Sequence, residues 1–175
     1  MKTIYLSLGS NRKDRGRNIA SAIEALGAHG VRVMRRSSLY ETEPVDARGG
    51  WFLNRVVEAE TDLMPRQLMR ALLVIERSLG RERHTPVDLQ GPREPRTIDM
   101  DILLFGSSVV QAPDLEIPHP RMAERRFVLA PLAEIAPGVR HPVLQQVIAE
   151  LLALAPDRSQ VRRISQPGAQ AGASG

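Results

Sequence analysis

The sequence predicts an α+β fold on an antiparallel sheet, and three observations carry that expectation. Residues 15–28 and 65–79 repeat apolar side chains at helical spacing: Ile19, Ile23 and Leu26 in the first, Leu68, Leu72, Ile75 and Leu79 in the second. Residues 3–8, 31–40, 52–61 and 98–105 are extended in character, with Ile4, Leu6 and Leu8 alternating most plainly. Their order of strand, helix, strand, strand, helix, strand is that of the ferredoxin-like βαββαβ unit, a sheet with helices on one face.

Each element has its punctuation. Gly9-Ser10-Asn11 ends the first strand in a turn, where Gly9 either lets backbone approach a ligand or simply makes the turn. Asp14 is a candidate cap for the first helix, and Gly27 and Gly30 mark its end. Residues 41–51 hold two glycines and a proline and read as a long loop. Pro65 suits the first turn of the second helix. Residues 80–95 form another long loop, carrying Arg81, Arg83 and Arg93, with Arg96 at its exit into the last core strand. Gly106-Ser107 then turns into a short hairpin partner at residues 108–111, residues 113–120 are irregular, and residues 127–135 and 143–154 have helical period. An appended hairpin and C-terminal helices thus extend the core into one domain over residues 1–160. Residues 161–175 are expected to be a flexible tail, since the final ten are almost all Gly, Ala, Ser and Gln.

The composition narrows the chemistry. A chain of 175 residues suits one domain, and without cysteine there are no disulfides, thiolate metal sites or thiol nucleophiles. No apolar run approaches the roughly 18 residues of a membrane span, so a cytoplasmic protein is expected. The net charge of +4 rests on arginine, because Lys2 and Lys13 are the only lysines, and it points to phosphate or nucleic acid as ligand.

The segment Arg96-Thr97-Ile98-Asp99-Met100-Asp101-Ile102-Leu103-Leu104-Phe105 concentrates that chemistry. On a strand, Asp99 and Asp101 project from one face while Ile98 and Ile102 point to the other. Two carboxylates side by side require water, basic groups or metal, and their oxygens are the hard ligands Mg2+ prefers. An isolated Asp-x-Asp can equally be a solvated face, but here Arg81, Arg83 and Arg96 precede it and could clamp phosphate oxygens. Glu76 reads either as a nucleotide contact or as a surface pair with Arg77 or Arg81. His119, between two prolines and followed by Arg121, Arg125 and Arg126, could face an anion.

Taken together, Leu8-Gly9-Ser10-Asn11, Tyr40-Glu41-Thr42-Glu43-Pro44, Phe52-Leu53-Asn54, Ile75-Glu76 through Gly80-Arg81, Pro95-Arg96-Thr97-Ile98-Asp99-Met100-Asp101, and Pro118-His119 with Arg125-Arg126-Phe127 closely resemble the 6-hydroxymethyl-7,8-dihydropterin pyrophosphokinase family. The motifs run in the family's order over about residues 3–155, and the arginine-threonine-hydrophobe-aspartate-x-aspartate run is the most diagnostic. The resemblance implies transfer of pyrophosphate from ATP to the pterin's hydroxymethyl group, releasing AMP, in folate biosynthesis. It implies two Mg2+ ions on Asp99 and Asp101, and catalytic roles for Arg81 and Arg96. Glu76, Arg83, Ile102, His119 and Arg125 match ATP contacts; Gly9, Thr42, Val45, Phe52, Asn54 and Phe127 match the pterin site. A stacked heterocycle between Phe52 and Phe127, read at its edge by Asn54, is chemically sensible. The run Gly91-Pro92-Arg93-Glu94-Pro95-Arg96 departs from the family's Arg-Trp-Gly-Pro-Arg-like segment by lacking its tryptophan, in a loop several residues longer than usual.

Two other classes compete. An RNA-binding module on this fold would stack bases on strand aromatics, a pattern no strand here carries. A nucleotidyl transferase would use the same Asp-x-Asp but leaves Phe52, Asn54 and Phe127 unexplained. The expected partners are therefore ATP and the pterin, with no nucleic acid and no membrane, acting on a monomer.

Overall fold

The computed structural model describes residues 1–12, 14–43, 50–80 and 97–164. Its core keeps the predicted order with the second predicted strand divided in two: β1 (Lys2–Ser10), α1 (Arg15–Ala28), β2 (Val31–Arg36), β3 (Leu39–Thr42), β4 (Phe52–Thr61), α2 (Pro65–Ser78) and β5 (Asp99–Phe105). Beyond it come β6 (Val110–Ala112), β7 (Leu115–Ile117), a 3-10 turn at Met122–Glu124, α3 (Arg126–Ile135), α4 (Ile148–Leu154) and β8 (Val161–Ile164). The main sheet runs β5-β1-β4-β3-β8, with β2 also on β4, and all pairings are antiparallel.

Alternation along the strands builds two cores. Ile4, Leu6 and Leu8 of β1 pack with Ile19, Ile23 and Leu26 of α1 and Leu68, Leu72 and Ile75 of α2 on one face. Tyr5, Val56, Leu103 and Leu104 face the other way and bury Val128, Leu129 and Leu132 of α3 with Ile148 and Leu151 of α4. Each such Leu or Ile, taken fully out of water, contributes on the order of 1.5–3 kcal/mol. α2 starts as its sequence suggests, with Pro65 in its first turn and the Gln67 side chain accepting the Met64 N–H at 2.8 Å.

The structure corrects the sequence expectations at several points. The two core helices α1 and α2 share one face as expected, and the appended α3 and α4 cover the opposite one. The extended run at 31–40 is two strands, with β2 pairing to residues 57–61 of β4 and β3 to residues 52–54. Ser37 bridges the break, donating its N–H to Val56 O and accepting the Val56 N–H on its hydroxyl, so both backbone groups of Val56 are paired there. The appended hairpin exists but β6 pairs with β7, not with β5. The last helix begins at Ile148 rather than 143, and Asp14, at the N-cap position of α1, makes no side-chain capping bond. Residues 161–164, assigned above to the tail, form β8 and pair along the whole of β3.

Candidate active site

β5 ends one side of the sheet path, and its register assembles the site. Asp99 lies opposite Gly9 and Asp101 opposite Ser7 on β1; Gly9 lies opposite Asn54 on β4; and β3 sets Tyr40 opposite Asn54 and Thr42 opposite Phe52. Facing residues of antiparallel strands share a side of the sheet. Asp99, Asp101, Asn54, Thr42 and Phe52 are therefore on one face, the one α3 covers farther along. Asp99 and Asn54 are two strand spacings apart, about 10 Å.

A cleft of about 560 Å3 opens beside the β5 edge, lined among others by Glu76, Asp99, Asp101, Ile102 and His119. That volume lies in the range of small-molecule sites. Both aspartates are half-buried. Glu76 is only 4% exposed, and its carboxylate accepts the Met100 N–H at 2.9 Å. Glu76 is thus not a surface group, and its side chain reaches into the edge of β5.

His119 is held by its backbone N–H to Leu103 O at 3.0 Å, and its Nδ1 accepts the Arg121 N–H at 3.1 Å. A neutral ring so placed carries its proton on Nε2. Burial first, then the nearby Arg125 and Arg121, lower its pKa below the usual histidine value, against an opposing pull from Asp99. Arg125, half-buried at the start of α3, lies 5.5 Å from the centroid of the Phe127 ring.

Asn54 is 4% exposed and donates from Nδ2 to Thr42 Oγ1 at 2.7 Å. Its Oδ1 leaves no room at the neighbouring strand: a Cβ on residue 9 would sit 2.8 Å from it. Gly9 is thus required by close packing against the carboxamide, more than by a turn.

Two supports went unnoticed in the sequence. Ser10 Oγ donates to Thr97 O at 2.6 Å and accepts from Asn18 Nδ2 at 3.1 Å, tying the entry of β5 to β1. Glu134 of α3 accepts from Ser38 N, from Ser38 Oγ at 2.7 Å and from Tyr40 Oη at 2.7 Å, with the Arg163 guanidinium 3.3 Å away. Burial opposes ionisation of Glu134, but the hydrogen bonds from Tyr40 and Ser38 outweigh it and hold its pKa below the usual value. Burial, with that same carboxylate, pushes the Tyr40 hydroxyl up to about 12. The spacing of Glu134 seven residues after Phe127, on one helical face, was the available signal.

Residues 5–137 match the family described as 7,8-dihydro-6-hydroxymethylpterin-pyrophosphokinase (HPPK). The chain belongs to this HPPK family. The Bacillus subtilis 2-amino-4-hydroxy-6-hydroxymethyldihydropteridine pyrophosphokinase is 42% identical over 160 residues, 90% of this chain and 87% of that one. The enzyme of the same name from Methylorubrum extorquens is 43% identical over 141 residues, 79% of this chain and 85% of its own. The folic acid synthesis protein fol1 of Pneumocystis carinii is 40% identical over 85% of this chain, which spans only 19% of that longer protein. The fold is shared with the Plasmodium falciparum HPPK-DHPS structure with pteroate, at a TM-score of 0.70 and 16% identity, over 87% of this chain and 44% of that one.

Of the residues expected in an HPPK site, the structure brings Asp99, Asp101, Gly9, Thr42, Phe52 and Asn54 onto one face. Glu76, Ile102 and His119 line the adjoining cleft with the aspartates. Phe127 and Arg125 stand at the start of α3. Arg81, Arg83, Arg93, Arg96 and Val45 lie outside the described residues.

Proposed function

We propose that this HPPK chain transfers the terminal diphosphate of ATP to the hydroxymethyl group of 6-hydroxymethyl-7,8-dihydropterin, giving AMP and the pterin diphosphate for folate biosynthesis. The acceptor oxygen bonds to the β-phosphorus of ATP as the bond from that phosphorus to the oxygen bridging the α-phosphate breaks. AMP leaves, and the hydroxyl proton is lost to solvent.

The observation that carries this reading is the register that puts a carboxylate pair and Asn54 on one face, two strand spacings apart. A bicyclic ring read at Asn54 can then direct its one-carbon arm toward Asp99 and Asp101. Asn54 and Thr42 meet the ring's polar edge, and Phe52 and Phe127 flank its faces. Gly9 gives the ring and the Asn54 carboxamide close access to the β1 backbone, and Val45 is assigned to the pterin through the family motif alone.

The carboxylates fit a hard divalent cation: they are adjacent on one face, half-buried and open to the cleft. Asp99 and Asp101 would hold two Mg2+ ions, which when bound neutralise phosphate charge and favour ionisation of the acceptor hydroxyl. The chain's own groups do the rest. Ile102 offers β5 backbone to the adenine, Glu76 keeps that edge in place, and His119, neutral at pH 7, donates from Nε2 to a phosphate oxygen. Arg125 adds charge beside it. Arg81 and Arg96 stabilise the negative charge in transit, and Arg83 clamps the nucleotide. The enzyme acts as a cytoplasmic monomer without nucleic acid; among the described residues no helix is long and apolar enough to cross a membrane.

The test is product analysis with ATP, magnesium and the pterin alcohol. AMP formed in step with pterin diphosphate is expected. ADP would indicate single-phosphoryl transfer, and free pyrophosphate a nucleotidyl transferase; either result rejects the reading.

A further inference from the structure

β8 completes the sheet, and its two central arginines reach opposite faces. Arg162, in register with Glu41, lies 3.5 Å from that carboxylate and 5.1 Å from the centroid of the Trp51 ring. Glu41 also holds Arg15 at 3.2 Å, and Arg15 donates to Trp51 O at 2.6 Å. Arg163, in register with Tyr40, lies on the other face, 3.3 Å from Glu134. One arginine therefore secures the residue just before Phe52. The other secures a carboxylate two helical turns from Phe127 on α3.

We propose that β8 is a positioning strap for the pterin half of the site, with Glu134 and Arg163 as positioning residues that set the height of α3, and so of Phe127, above β3 and β4. This rests on the reading of Phe52, Asn54 and Phe127 as pterin contacts. The geometry gives the strap its leverage. β3 has four residues, and β8 pairs with all of them, so an otherwise outer strand is held on both sides. Glu134 gathers donors from Ser38, Tyr40 and Arg163, which join the β2–β3 connection, β3 and β8 to α3 at one point. A slot between two aromatic rings is sensitive to such height, because opening a contact by about 0.5–1 Å forfeits a quarter to a half of its dispersion attraction. Among the described residues none of this network lines the cleft beside Glu76 and His119, and Arg125, the one proposed ATP contact on α3, sits at its N-cap, so the strap acts mainly on the pterin side.

Steady-state kinetics with each substrate varied test this. Glu134→Ala is expected to raise the pterin KM about tenfold and Arg163→Ala about threefold, with ATP KM within about twofold of the parent. Arg163→Lys should return most of the loss. The Arg163 side chain is 63% exposed, so its truncation leaves no core cavity and the test stands even if Glu134→Ala does not fold. The chain's single tryptophan, Trp51, provides a second readout: its emission should shift in Arg162→Ala and in a chain ending at residue 159. Equal rises in both KM values, or an unchanged pterin KM in both Arg163→Ala and Glu134→Ala, would overturn the strap. Asn54→Ala separates the two levels. If it weakens pterin binding while the strap variants do not, only the strap falls; if it leaves pterin binding intact, the site assignment falls as well.

Discussion

Gly9→Ala tests the proposed pterin site at its tightest point. The new Cβ would lie 2.8 Å from Asn54 Oδ1, about half an ångström inside ordinary van der Waals contact, so strand or carboxamide must give. The strand is held on both sides, by β4 and β5, leaving the carboxamide to turn. Turning it strains or breaks the 2.7 Å bond to Thr42 Oγ1, worth roughly 0.5–1.5 kcal/mol, and adds an overpacking cost of about 1–3 kcal/mol. If one to two kcal/mol of that falls on the pterin complex, the pterin KM rises about 5- to 30-fold. ATP, which the proposed function assigns to the cleft beside the β5 edge, should be bound nearly as before. AMP release against pterin concentration, alongside the urea midpoint, is the assay. A variant with lowered stability but unchanged pterin KM would refute the claim that Gly9 serves the Asn54 carboxamide's ligand geometry.

Three other outcomes are expected. Asp99→Ala or Asp101→Ala should lower AMP formation at saturating substrates at least about a hundredfold with little change in melting temperature, since both side chains are half-buried and face the cleft; near-full activity in either would reject the metal assignment. Glu76→Ala orphans the buried Met100 N–H and should cost roughly 1–3 kcal/mol in urea unfolding while raising the ATP KM, and an unshifted ATP KM would confine Glu76 to a structural role. His141 is buried, its Nδ1 accepts N–H groups from Val143 and Leu144, and burial holds its pKa low. The unfolded chain then binds the proton more readily, so stability should fall as pH drops below about 6.5 and level off beneath the folded value. His119 adds to the same trend. His141→Asn keeps an acceptor without titrating, so its urea midpoint should depend less on pH across this range.

Much of this molecule was legible because local pattern and local burial coincide. Ile4, Leu6 and Leu8 alternate because one side of β1 meets α1 and α2, and the same period of two placed Asp99 and Asp101 on a common face before any partner strand was known. Helix positions followed from apolar spacing for the same reason. Where pattern and partner are uncoupled, the sequence was silent or misleading. The hairpin after Gly106 folds onto β7 instead of β5, and the polar Val161–Ile164 segment becomes a strand because β3 offers it an open edge.

What the sequence determined alone was the alternation of the core strands and helices, the shared face of the two carboxylates and, through its motifs, the family. Only the tertiary structure decided that Gly9 is demanded by the Asn54 carboxamide, that Glu76 is buried against the Met100 amide and that Glu134 joins α3 to β3 and β8. Side-chain periodicity reports which way a residue faces. Which atom it meets depends on strand register and helix height, and those are set by contacts between segments tens of residues apart.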